Sequence, residues 1–237
     1  MHILFNLDYR TTYGETLALN VKQDDATVTY LMSTVDGEHW TYQLVLDKAV
    51  RQLDYYYSLE RGGREARHEW TTVAHRLELC ARQAESYTVY DHWNDIPEDS
   101  YLYSSAFTEC IDHHTVHLLP KHDYHRTVRL VVRCPQLRFT ERLVLIGGNA
   151  CLGGWDPLKA VEMTEQSINE WAVDIDADRL EENRLEFKFA AFDSEGDVAP
   201  LWETSDNRTI SLPEIENGEA VVYQLTQAFM PIYNRRL

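Results

Sequence analysis

Two indoles, one ammonium and a pair of polar side chains carry the chemistry this sequence offers. Trp155 stands in the glycine-rich stretch "GGNACLGGWDPLKAVEM", and Trp202 opens "WETSDNR", which also supplies Glu203 and Asn207. Lys188 interrupts the otherwise aromatic run "LEFKFAAF". Trp155 is flanked by residues that punctuate turns, whereas a core indole sits within apolar periodicity, so an exposed ring is expected there. Exposed flat rings beside mixed donors and acceptors suit a sugar ring, whose C–H faces stack on aromatics while its hydroxyl rim bonds to polar groups. One stacked indole contributes about 1–2 kcal/mol at ~25 cal/mol per Å² before ordering costs. From residue types alone a structural alternative stays open, in which Trp155 covers an apolar edge and Trp202 caps the fold.

The elements that must position these groups read as strands. "ILFNLDY", "VTYLM", "WTYQLVL", "LDYYYSL" and "HRLELC" come first, with "DGEH" and "RGGRE" as turns. The pattern dissolves over residues 91–127 and resumes as "VRLVV", "RLVLIG", "WAVDI", "LEFKFAAF", "RTISL" and "AVVYQL". No helix of more than two turns is expected. Two all-β units of about 90–100 residues follow from this spacing. The boundaries read as 1–110 for the first unit with the start of a connector, 111–126 for the connector, 127–226 for the second unit, and 227–237 as the start of a linker to an absent domain.

The composition narrows the partners. Of 237 residues, 39 are Asp or Glu and 22 Lys or Arg, a net charge of −17 that repels nucleic acid and anionic membranes. A neutral or cationic partner fits better. No window approaches the ~18–20 apolar residues of a membrane span, and the N-terminus "MHILFNLDYR" reads as that of a cytoplasmic protein. Cys80, Cys110, Cys134 and Cys151 match neither a zinc pair nor a CxxC and are expected as buried thiols. Five histidines crowd into "HHTVHLLPKHDYH", namely His113, His114, His117, His122 and His125. Thr115, Val116 and Pro120 favour extended chain there, which disfavours a helical i,i+4 metal pair; no metal and no cofactor is expected.

An internal repeat links the halves. Met32 and Trp40 are eight apart, as are Met163 and Trp171, and both tryptophans are expected in cores. "LDYYYSL" aligns with "LEFKFAA", which sets Trp70 against Trp202, each 14 residues beyond Tyr56 or Lys188. On the same alignment His75 stands where Asn207 does.

"VLIGGNACLGGWDPLKAVEMT", "WAVDI", "LEFKFAAFD" and "LWETSDNR", in this order and spacing, resemble the family 20 carbohydrate-binding module, the starch-binding domain of amylolytic enzymes. Leu152, Gly153, Trp155 and Asp156 match its loop, Lys188 its strand, and Trp202, Glu203, Asn207 and Arg208 its closing motif. The resemblance implies a principal glucan site of Trp155 and Trp202, with Lys188, Glu203 and Asn207 at its edge. It implies an all-β fold, two immunoglobulin-like β-sandwich starch-binding modules in tandem. The first is a degenerate copy: "NVKQDDATVTYLM" replaces the glycine-tryptophan loop, Tyr56 stands for Lys188, and Trp70 and Tyr13 remain as a weaker carbohydrate contact. The second unit has Phe139 at the position matching Tyr13.

Such a pair at an N-terminus is similar to the front of the glycoside hydrolase family 77 4-α-glucanotransferases. The implied partners are α-1,4-glucans (starch, glycogen, maltodextrin, cyclodextrin) and a C-terminal catalytic domain. A catalytic (β/α)₈ barrel of about 250 residues does not fit this all-β pattern, and no catalytic residue is expected within the chain. The alternative role is a scaffold or regulatory module that packs on the catalytic domain or dimerises.

Overall fold

The computed structural model describes residues 1–23, 26–79, 84–111, 115–193 and 199–231. Alternation builds the first unit. β1 (His2–Asp8) buries Ile3, Phe5 and Leu7 and leaves the residues between them toward solvent. It is followed by β2 (Glu15–Gln23), β3 (Ala26–Leu31), β4 (Ser33–Thr34), β5 (His39–Val45), β6 (Gln52–Arg61), β7 (Arg64–His68), β8 (His75–Glu78) and β9 (Ser86–His92). The second unit comprises β10 (Arg126–Arg133), β11 (Glu141–Gly147), β12 (Val161–Glu162), β13 (Thr164–Ser167), β14 (Glu170–Asp176), β15 (Arg184–Asp193), β16 (Leu201–Trp202), β17 (Arg208–Ser211) and β18 (Glu219–Leu225). Helical structure among the described residues is confined to short turns, the longest at Ala106–Ile111.

The expected repeat is present in the pairing. Trp40 on β5 faces Leu7 on β1, and Trp171 on β14 faces Val132 on β10. Both indoles are buried, as the spacing predicts for core residues. Before β2 and β11 the turns match residue by residue: the Thr12 amide donates to Glu15 at 2.8 Å, and the Arg138 amide to Glu141 at 2.9 Å.

The units do not sit apart on a connector. β9 pairs in parallel with β18, so one eight-stranded sheet runs β13-β14-β10-β18-β9-β1-β5-β4 through both. Each unit adds its own five-stranded sheet, β3-β2-β6-β7 with β8, and β12-β11-β15-β16 with β17. On β18, Val221 enters the second core while Ala220 and Val222 join the first. On β10, Val128, Leu130 and Val132 face the second core and Val131 the first. Successive strand residues point to opposite faces, so the two companion sheets lie on opposite sides of the shared one. β10 and β18 are therefore buried on both faces, which is why they read as near-continuous apolar runs.

Polar contacts lock the junction. Arg129, almost fully buried, forks onto Asp174 at 2.6 and 2.8 Å and donates to the Glu78 carbonyl at 2.5 Å. Gln224 donates to the Arg76 carbonyl at 3.0 Å, and Tyr90 stacks on Tyr223 with centroids 4.9 Å apart.

One expected boundary changes. In the stretch read as a linker from residue 227, Ala228 and Met230 are buried in the second core, and the Ala228 amide donates to the Arg133 carbonyl at 2.8 Å. Residues 227–231 thus belong to the second unit, and 232–237 lie outside the described residues. The connector is likewise packed: the His117 amide donates to the Glu165 carbonyl at 2.8 Å, and Leu119 is buried in the first core. Of the sequence features singled out, Cys80, His113 and His114 lie outside the described residues. Cys134 is buried, Cys151 half-buried and Cys110 exposed, so the expectation of buried thiols fails at Cys110.

Candidate functional site

The outer face of the second unit's five-stranded sheet carries Lys188 and Trp202. β15 sends Phe187, Phe189 and Ala191 into the core, so Glu186, Lys188 and Ala190 point the other way. Ala190 pairs with Trp202 on β16, and Lys188 with Ile146 on β11. Trp202 packs on Val144, Ile146 and Ala190 and keeps part of its ring in solvent. Asn207 donates to Glu186 Oε1 at 2.9 Å, which fixes the amide one step along β15 from Lys188. Glu186 is the residue the sequence reading missed; its place two before Lys188 on a strand with one buried face was the available signal.

Trp155 stands on the loop between β11 and β12, with its indole nitrogen beside Gly148. Its amide donates to the Gly147 carbonyl at 2.9 Å, and its backbone lies in the left-handed region at φ 63°. A tryptophan there stores on the order of 1 kcal/mol of strain, which a local fold keeps only when the rest of the loop determines it. The loop does so. At Gly153, with φ +88°, a Cβ would sit 2.7 Å from the Lys159 carbonyl oxygen; at Gly148 it would meet the Trp155 indole nitrogen at 3.2 Å. Asp156 closes the loop by accepting from the Leu158 amide at 3.0 Å. The ring that results is 37% exposed, which favours the exposed reading over a capping role. Beside it a cleft of about 440 Å³ is lined by Gly148, Asn149, Glu181, Glu182 and Glu186.

Glu203 is not at the edge of this platform. It is 2% exposed; Oε1 accepts from the Phe189 amide at 2.9 Å and Oε2 from Arg208 Nη2 at 2.9 Å. Both oxygens are engaged inside the unit, so the expected hydrogen bond to a sugar hydroxyl is replaced by a structural one. It ties β15 to β17 across the sheet.

The same device corrects the alignment of the first unit. There Glu69 accepts from the Tyr57 amide at 2.7 Å and lies 3.1 Å from His75 Nε2. Glu69 is therefore the counterpart of Glu203, and His75 that of Arg208 rather than Asn207. Ser58 pairs with His68 as Ala190 pairs with Trp202, so His68, not Trp70, occupies the indole position. Trp70 instead meets Tyr103 edge-to-face with centroids 5.2 Å apart, away from Tyr56, which packs on His68. Tyr13 is fully exposed in a turn, matched by the exposed Phe139. Lys188 and Trp202 thus share the outer face of one sheet, Asn207 is tied to it through Glu186, Trp155 stands on the adjoining loop beside Gly148, and Trp70 and Tyr13 lie elsewhere in the fold.

Behind Glu69 the first unit buries a polar cluster. Asp91 accepts from Tyr55 at 3.0 Å and Tyr57 at 2.5 Å. Burial raises the Asp91 carboxyl above its usual range, against the pull of His75 and the two phenols. Burial by itself lowers His75, but Glu69 and Asp91 outweigh it and hold the imidazole above its ordinary value. His92, 6.3 Å away by centroid, is pushed down to about 4, chiefly by burial and then by His75.

The sequence profile described as "Starch binding domain" matches residues 127–222. The match spans most of the second unit, which is similar to starch-binding domains by it. No curated protein matches the chain. Among solved structures, similarity is found to the family 15 glucoamylase of Hypocrea jecorina, 20% identical with a TM-score of 0.37 over 44% of this chain and 17% of that one. The gamma-CGTase of alkalophilic Bacillus clarkii is 16% identical with a TM-score of 0.36, over 90% of this chain and 23% of that one. The family 20 module of a maltotetraose-forming amylase from Pseudomonas saccharophila is 18% identical with a TM-score of 0.32, over 42% of this chain and 99% of that one. The chain spans less than a quarter of the length of the two enzymes.

Proposed function

We propose that the second unit binds α-1,4-glucan, namely starch, glycogen or maltodextrin, through Trp155 and Trp202 as stacking rings and Lys188 and the Asn207–Glu186 pair as the polar edge. The observation that carries this is the left-handed, partly exposed Trp155. A shallow platform has few contacts to offset ordering costs, so binding of β-cyclodextrin falls in the micromolar to millimolar range. Titration calorimetry measures it; absence of heat and of tryptophan fluorescence change at millimolar ligand refutes the reading.

In this reading the chain is the targeting region of a 4-α-glucanotransferase, raising the local concentration of polymer beside a catalytic domain. The order of motifs along the sequence supports that parent, and the chain itself supplies no catalysis. Incubation with maltotriose tests the second point: transfer or hydrolysis products from the pure chain would overturn it.

The first unit is read as a brace and not as a second glucan module. The covered outer face of β10 and β18, with Arg129 tied to Glu78 and Gln224 to Arg76, favours this scaffold role.

A further inference from the structure

The junction between the units holds a cavity of about 150 Å³, lined by Trp70, His92, Trp93 and Asp95 from one side and Arg133 and Gln227 from the other. Neither unit alone makes it. It is smaller than the roughly 300–1,000 Å³ of drug-sized sites and has room for one six-membered ring with its substituents.

Its walls are fixed before any ligand arrives. Trp93 lies against Tyr9, centroids 4.6 Å apart, with the Arg67 guanidinium 5.2 Å from its ring, and its indole nitrogen donates to Asp95 at 3.2 Å. Trp70 is held by Tyr103, and its amide donates to the Asn94 carbonyl at 2.9 Å. His92 Nδ1 lies 2.9 Å from the Gln224 carbonyl oxygen. A carbonyl only accepts, so Nδ1 carries the proton and Nε2 is left as an acceptor. Arg133 donates to the Val73 and Ala74 carbonyls at 3.2 Å and faces Glu170 at 3.5 Å; Gln227 donates to Asp99 at 2.6 Å.

The charges at the wall are thus compensated within the protein: Arg133 by Glu170, and Asp95 by Arg67. A charged ligand would meet no unbalanced partner and would pay its desolvation in full. What remains is two indoles with imidazole, amide and guanidinium groups around them, the chemistry that recognises a neutral polyhydroxylated ring. We infer that the junction cavity binds a single neutral hexose unit, as the free sugar or the end residue of a maltose-sized glucan. This site is separate from the platform at Trp155, and binding at it stabilises the docking of the two units because both contribute to its wall.

The test uses the full chain carrying Trp155→Ala and Trp202→Ala, so that the platform does not contribute, titrated with glucose and with maltose while indole N–H and backbone amide resonances are recorded. Saturable shifts at Trp70 and at residues 131–133 are expected in the millimolar range, weakened at least tenfold by Trp70→Ala and also by Gln227→Ala, each confirmed folded by its melt. Shifts confined to other residues, shifts that survive both substitutions, or none at tens of millimolar would overturn the site. β-Cyclodextrin, too large for the cavity, reports the platform alone in the unsubstituted chain. Failure there and failure here are therefore distinct results.

Discussion

Both units pin the middle of their longest strand with a buried glutamate, yet they complete the device differently. In the second unit the partner of Glu203 is Arg208, whose guanidinium also lies 5.1 Å over the Phe189 ring and never loses its charge. In the first unit the partner of Glu69 is His75, embedded with Asp91, Tyr55 and Tyr57. Arginine reaches out to the rim, donating to the Thr226 and Gln227 carbonyls, and leaves the outer face of the sheet open for a platform. Histidine is too short for that, and the first unit turns its polar groups inward instead. One frame leaves an exposed sheet face where the strut is long and encloses a buried polar knot where it is short.

The largest effect should come from removing the struts. Glu203→Ala strands Arg208 and the Phe189 amide, with an expected loss of about 3–5 kcal/mol in urea unfolding. Glu69→Ala should cost about 1–2 kcal/mol less, because His75 can shed its proton where Arg208 cannot. Equal losses would show that charge does not separate the two units.

Next in size is the response to pH. His92 is neutral in the folded chain down to about 4 but protonates near 6.5 when unfolded. The unfolded state then binds more protons between those values, so stability falls as pH drops through that window, by on the order of 2 kcal/mol. His75 has the opposite sign: raised in the fold, it contributes fully below the unfolded value and loses its contribution as pH rises through its folded one. Melts from pH 8 to 4 should show the acid limb flattened by His92→Gln and the alkaline limb flattened by His75→Gln. An unchanged acid limb in His92→Gln would break this assignment.

Smaller in energy, though decisive for function, are the platform rings. Trp155→Ala or Trp202→Ala should weaken β-cyclodextrin binding at least tenfold, about 1.4 kcal/mol, with little change in the melt. Trp171→Ala should do the reverse, lowering the melt while the folded fraction still binds. Calorimetry beside thermal melts separates them; unfolding by Trp155→Ala would end the distinction between loop and core indoles. The smallest effect is a gain. His68→Trp places an indole at the true counterpart of Trp202, and without a facing loop ring it should leave first-unit binding at least tenfold weaker than at the platform, read by calorimetry in a Trp155→Ala, Trp202→Ala background.

What could be read from the sequence follows from where the information lies. Trp40 and Trp171 were legible as core, because strand periodicity and an equal spacing from a methionine survive in both copies. Trp155 was legible as exposed because Gly153 and Gly154 before it and Asp156 and Pro157 after it punctuate a turn. Trp70 misled because the hairpin through Gly62 and Gly63 brings Ser58 to His68 in ten residues, while Ala190 reaches Trp202 in twelve. A tryptophan two residues later then mimicked the motif. The role of Glu203 was hidden for a different reason: the Phe189 amide and Arg208 become its neighbours only when β15 pairs with β17. The shared sheet left a trace in the apolar runs of β10 and β18, which signal burial on both faces but not what lies there.

The pairing of β9 with β18 also sets an order of events during synthesis. Ser86 meets Glu219 in register, so the outer edge of β9 has no partner until more than a hundred further residues have left the ribosome. Contacts that distant in sequence close late and slow folding. In the interval the first unit presents a bare strand edge, open to pairing with another nascent chain. Slower translation between residues 92 and 219 lengthens that exposure, and yield on expression becomes a matter of timing as much as of stability.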